Sequence, residues 1–85
     1  LGLTGRALTA QEATRLGVPG GVVVEAASGP AAKAGLQAGD VIVGINNQPI
    51  TGIEQFRKLL DAAGNRFALL VQRGGNRIFM PVRIS

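Results

Sequence analysis

Apolar residues come in short runs, most of them closed by a glycine or a proline, and one run has clear helical spacing. In IEQFRKLLDAA, residues 53–63, they fall at 53, 56, 59, 60 and 63. That spacing predicts an amphipathic helix with one buried stripe, ending at Gly64. Thr51-Gly52-Ile53-Glu54 before it reads as a capping box, with Thr51 as N-cap and Glu54 reaching back to its amide. Thr9-Ala10-Gln11-Glu12 carries the same pattern and predicts a short helical turn to Leu16, stopped by Gly17. The remaining apolar runs are too short for helices and read as strands. Leu3 to Leu8 is one. Val22-Val23-Val24 is a β-branched, buried one. In a third, Val41 to Ile45, Val41, Val43 and Ile45 share one face and Ile42 points to the other. Phe67 to Gln72 and Ile78 to Ile84 make a hairpin around Gly74-Gly75-Asn76.

The connections are turns. Val18-Pro19-Gly20-Gly21, Gln37-Ala38-Gly39-Asp40 and Asn46-Asn47-Gln48-Pro49 each reverse the chain. Pro30 suits the first position of a stub helix through Ala34. Gly35 then takes the left-handed C-cap, and Leu36 tucks back onto the core. No helix is long enough to cross over between parallel strands. The expected class is α+β, mostly β. The architecture is a small antiparallel β-sandwich or partly open barrel of about five to six strands, capped by one amphipathic helix and one short helix. The 85 residues make one domain, 1–85, and a start at Leu1 without Met reads as a segment cut from a longer protein.

Composition removes several kinds of chemistry. The chain has no Cys and no His, which excludes disulfides, thiolate metal sites and a Ser-His-Asp triad. Ser28 and Ser85 have no base to activate them, so no catalytic residue, metal site or cofactor is expected. Asp40, after a glycine at a turn, bonds its own backbone. Gly74-Gly75 opens no helix and so cradles no phosphate. The net charge of +4 comes from basic residues scattered along a chain without Trp or Tyr. Nucleic acid, which needs clustered charge with stacking aromatics, is not an expected partner. No apolar run approaches the ~20 residues that span a bilayer, so direct membrane insertion is not expected either.

The stretch GPAAKAGLQAGDVIVGIN, residues 29–46, resembles the core signature of PDZ domains: Pro opens the stub helix, Gly caps it, Leu staples it, and Gly-Asp turns into the next strand. With the closing stretch LLVQRGGNRIFMPVRIS, the whole chain resembles the second, C-terminal PDZ domain of bacterial HtrA-type (Do-like) serine proteases. The first PDZ domain of that family fits the same pattern. So does a PDZ domain of a membrane-embedded metalloprotease or a secretion-system protein. From residue types alone, Leu1-Gly2-Leu3 reads as a plain strand start with a bulge. The resemblance makes it the loop whose backbone amides bind a peptide's terminal carboxylate.

The resemblance implies a peptide-binding module, itself not an enzyme, in a periplasmic serine endoprotease. It would hold C-termini or apolar extended segments of misfolded protein by strand addition. The implied site has two walls. Leu1, Gly2, Leu3, Thr4, Gly5 and Arg6 form the carboxylate loop and strand. Ile53, Arg57 and Leu60, at i, i+4 and i+7, form the helix wall, with Phe56, Leu59 and Ala63 turned to the core. Arg57 and Arg6 have a plainer reading as solvated surface charges. The implied partners are a peptide or protein C-terminus with an apolar last residue, and the protease domain and other PDZ domain of the same parent. That parent would be a trimer-based homo-oligomer. The alternative role is an assembly module of that oligomer, with its groove unused or occluded.

Overall fold

The computed structural model describes residues 2–84. Nine elements follow in order: β1 (Leu3–Ala7), α1 (Ala10–Leu16), β2 (Val22–Ala27), α2 (Gly29–Ala34), β3 (Val41–Ile45), β4 (Gln48–Pro49), α3 (Ile53–Ala63), β5 (Arg66–Arg73) and β6 (Asn76–Arg83). The strands form one open antiparallel sheet in the order β1-β2-β3-β5-β6, with β4 paired to β3.

Local chemistry explains most of the boundaries. In α1 the capping box closes: the Glu12 amide donates to the Thr9 hydroxyl at 3.1 Å, and the Thr9 amide donates to Glu12 Oε1 at 2.9 Å. Gly17 ends α1 in the left-handed region. Helix α2 starts one residue earlier than the proline rule predicts, with Gly29 first and Pro30 second. Either position lies among the first-turn amides that have no intrahelical acceptor, so the missing N–H costs nothing. Its end is a doubly bonded left-handed cap, with the Gly35 amide on the Ala32 carbonyl and the Leu36 amide on that of Ala31. Asn46 and Asn47 both have positive φ, 47° and 67°. That is the twist a two-residue hairpin needs, and it lays Gln48 and Pro49 beside Ile45 and Gly44 as β4.

Two expectations are corrected. Thr51 does not cap α3. The N-cap is Gly52, and no side chain bonds into the helix start from that position. Instead the Gln55 carboxamide reaches back, accepting from the Thr51 amide at 2.8 Å and donating to the Pro49 carbonyl at 2.9 Å. The strand β3 also departs from simple alternation. Its register against β5 jumps between Ile42 and Gly44. A bulge there adds one residue and resets the faces. Ile42 and Ile45, and not Val43, join the core cluster.

The core lies on one face of the sheet. Val22, Val24, Ile42, Ile45, Phe67, Leu69, Val71, Met80 and Val82 meet Ala31, Leu36, Ile50 and Phe56 there. Burying Phe56 contributes about 2–3 kcal/mol and fixes α3 across that face. Asp40 is the one buried charged side chain among the described residues. It accepts from the Gln37 amide at 2.9 Å, the expected turn bond. It also accepts from Arg73 Nε at 2.8 Å and Nη2 at 2.7 Å, and Arg73 Nη2 donates to the Gly35 carbonyl as well.

Candidate functional site

Strand β1 ends the sheet order, so only one of its sides is paired. Its exit is held at Leu8, whose amide donates to the Gly21 carbonyl at 3.0 Å. The next glycine back, Gly20, packs on the start of α3. A Cβ there would lie 2.6 Å from the Thr51 carbonyl oxygen. The beginning of α3 is thus tied to the end of β1, and α3 runs back along β1 in the opposite direction. Between them lies a cavity of about 330 Å³.

Leu3, Thr4, Gly5, Ile53, Arg57 and Leu60 line that cavity together, with Val22 and Phe56. Phe56 also belongs to the core, as its helical position predicts. A ring at the base of the cavity serves both, which spacing alone does not reveal. Val22 enters because Gly5 has no side chain: a Cβ at Gly5 would come within 2.6 Å of Val22 Cγ1 and 2.8 Å of the Val23 carbonyl oxygen. The pairing of β1 with β2 slips between Thr4 and Gly5. Glycine is therefore the residue that lets the edge strand lie close over β2 there.

The other site residues fall elsewhere. Arg6 does not line the cavity. Its guanidinium makes two parallel bonds to Glu12, at 2.9 and 3.0 Å, which tie β1 to α1. Those bonds, with the Thr9 amide, draw the Glu12 carboxyl down to about 2. Gly2 curls with φ +83° and accepts from the Ser28 amide at 2.7 Å through its carbonyl. Leu1 lies outside the described residues.

On the opposite side of the sheet a second hollow, of about 300 Å³, is lined by Val18, Pro19, Val43, Leu70, Arg77 and Phe79 among others. Phe79 is 63% exposed.

A family model described as PDZ domain matches residues 21–73. The chain belongs to the PDZ domain family. The match starts after β1, so the edge strand lies outside it. The chain is 44% identical over 71 residues to the periplasmic serine endoprotease DegP of Salmonella typhimurium, covering 81% of this domain and 15% of that protein. It is 36% identical over its full length to a probable periplasmic DegP-like serine endoprotease of Hahella chejuensis, of which it spans 19%. The domain therefore spans less than a fifth of these curated relatives. Among solved structures, it superposes on the HtrA-type protease AlgW with a decapeptide at TM-score 0.78 and 30% identity, over 98% of this domain and 27% of that chain.

Proposed function

We propose that this PDZ domain holds an extended peptide by its free C-terminus, as an added strand on β1. The observation that carries this reading is the cavity between an unpaired edge strand and α3, with apolar walls from Leu3, Ile53, Phe56 and Leu60. Main-chain bonds to β1 would supply affinity, and the apolar walls would take the last side chain. The amides around the curl at Gly2 would hold the terminal carboxylate as a nest holds an anion. Affinity for a short peptide is expected near micromolar, about 8 kcal/mol, since ordering costs absorb much of the contact energy.

The likeness to DegP and to AlgW with a decapeptide supports a parent of the HtrA type, a periplasmic serine endoprotease. The module would hold C-termini or apolar segments of misfolded protein near the protease domain. A second reading, as an assembly module in a trimer-based homo-oligomer, draws on the exposed Phe79 and the hollow beside it.

The test is an NMR titration with a short peptide ending in an apolar residue, run beside its amidated twin. The peptide reading expects signals of residues 2–6 and 53–60 to move with the free acid and not with the amide. If neither peptide moves them, the groove is closed and the assembly reading takes its place.

A further inference from the structure

The sheet order ends in two strands, β1 and β6. β6 is the longer, eight residues against five, and it carries the exposed Phe79. A long end strand with an exposed aromatic is a template for pairing with another chain. The direction of its backbone groups decides whether it can serve as one.

In an antiparallel pair, residues alternate between bonding their partner and turning both amide and carbonyl to the other side. The Ile84 amide donates to the Asn65 carbonyl at 2.9 Å, which makes Asn65 and Ile84 a bonded pair. Along the register, Phe67–Val82 and Leu69–Met80 are then bonded pairs as well. Arg77, Phe79, Pro81 and Arg83 turn their backbones to the open edge. Proline has no amide hydrogen, and its ring fills the place where one would point. The donors of β6 are thus broken at Pro81, between Phe79 and Arg83. On β1 the outcome differs. The Ser28 amide donates to the Gly2 carbonyl at 2.7 Å, and the Leu8 amide to the Gly21 carbonyl at 3.0 Å. Leu3, Gly5 and Ala7 therefore turn their amides outward, and none is missing.

A second copy of this domain is the occupant that β6 fits by symmetry, because the same residues face the edge in both. With two β6 strands antiparallel about Met80, Pro81 lies opposite Phe79 of the copy, whose carbonyl gains no donor. Arg77 lies opposite Arg83 of the copy, a like-charge pair. We propose that Pro81 is the specificity-determining residue that confines strand addition to β1, by closing β6 to a second copy of this domain. Addition at β1 rests on the peptide-binding reading above; the closure of β6 stands on its own geometry.

The test is sedimentation equilibrium, with amide hydrogen exchange followed by NMR, on wild type, Pro81→Thr, Pro81→Val, and Pro81→Thr combined with Arg83→Glu. Threonine and valine supply the amide and favour strands. Arg83→Glu turns the like-charge pair into an opposite one. Wild type is expected to leave the Phe79 amide exchanging freely at every protein concentration. Pro81→Thr and Pro81→Val should move toward twice the wild-type mass in high salt, which screens the arginines. The double variant should do so in low salt as well. In all three, the Phe79 amide should slow as concentration rises. A wild-type Phe79 amide that slows on concentration overturns the proposal, because β6 is then open. So does a double variant that melts as a folded domain and keeps the wild-type mass, because something other than Pro81 then closes the edge. A peptide ending in an apolar residue, titrated in parallel, reports on β1. If it leaves the signals of residues 2–6 unmoved, the peptide reading fails and addition at β1 falls with it, while mass and exchange still decide β6.

Discussion

Asp40 shows how one side chain can hold several parts of this small domain. Its side chain is 3% exposed, and its carboxylate joins the turn at Gln37 to Arg73 on β5. Through Arg73 it also reaches the Gly35 carbonyl at the end of α2. The Arg73 hydrogen bonds hold the Asp40 carboxyl below its ordinary value, against the opposing effect of burial and with help from the Gln37 amide. A folded-state value below the unfolded one means stability that is present above about pH 4 and lost as pH falls through the folded value. Removing one partner of a buried pair costs about 3–5 kcal/mol. Because the Arg73 side chain is 36% exposed, we expect Asp40→Asn to cost about 2 kcal/mol, or about 10 °C in Tm. Urea titrations across pH should show the gap to wild type narrowing below pH 4. A gap that is constant from pH 7 to pH 2 would show that the charge plays no part.

Gly2 acts at the same scale. Its positive φ and the Ser28 carbonyl oxygen, 2.1 Å from where a Cβ would sit, leave no room for a side chain. Gly2→Ala should cost at least about 1 kcal/mol. In the titration above it should weaken the free-acid peptide, because the curl must shift.

At the scale of elements, the two Thr-x-x-Glu patterns behave differently, and the difference is measurable. Thr9→Ala should cost about 1 kcal/mol, a normal N-cap loss. Thr51→Ala should lie within about 0.5 kcal/mol of wild type, while Gln55→Ala should cost about 1 kcal/mol. Thermal melts of the three variants decide the matter, and a Thr51→Ala loss equal to that of Thr9→Ala would restore the capping box to α3. The pattern is the same in both segments, so nothing local could tell them apart. Gln55 wins at α3 because the β4 segment brings the Pro49 carbonyl within reach of its amide, a contact that forms only after the hairpin closes. The β3 bulge was hidden for a similar reason. Alternation across Val41, Val43 and Ile45 reads as one face until β5 imposes its own register. By contrast, the Gly17 and Gly35 caps and the Gly74-Gly75 turn depend on glycine's freedom within a few residues, and the sequence alone places them.

Across the whole molecule, the cavity walls at Leu3 and Gly5 were legible only through the resemblance to a family, while helical spacing put Ile53 and Leu60 on one face of α3. Two contributions were not legible. Phe56 serves core and cavity together, and Val22 reaches the cavity through the space Gly5 leaves on the neighbouring strand. The Asp40–Arg73 link spans 33 positions, beyond any local pattern. Filling the space at Gly5 tests how far the cavity depends on it. Gly5→Val should cost about 1–3 kcal/mol through crowding of Val22 and the Val23 carbonyl, and peptide affinity should fall with it; chemical denaturation and anisotropy report the two separately.

Helix α1 buries none of its side chains, whereas α2 buries Ala31 and α3 buries Phe56. It is held by its caps and by the Arg6–Glu12 pair. Its amides should therefore exchange with deuterium through small openings that denaturant hardly changes, while those of β3 and β5 wait for global unfolding. Because Arg6 is tied to Glu12, each loosening of α1 also frees the Arg6 side chain, while the backbone at that end of the edge strand stays paired to β2 and held at Leu8. The charge beside the edge strand then loosens with α1, while both backbone walls of the cavity stay in place.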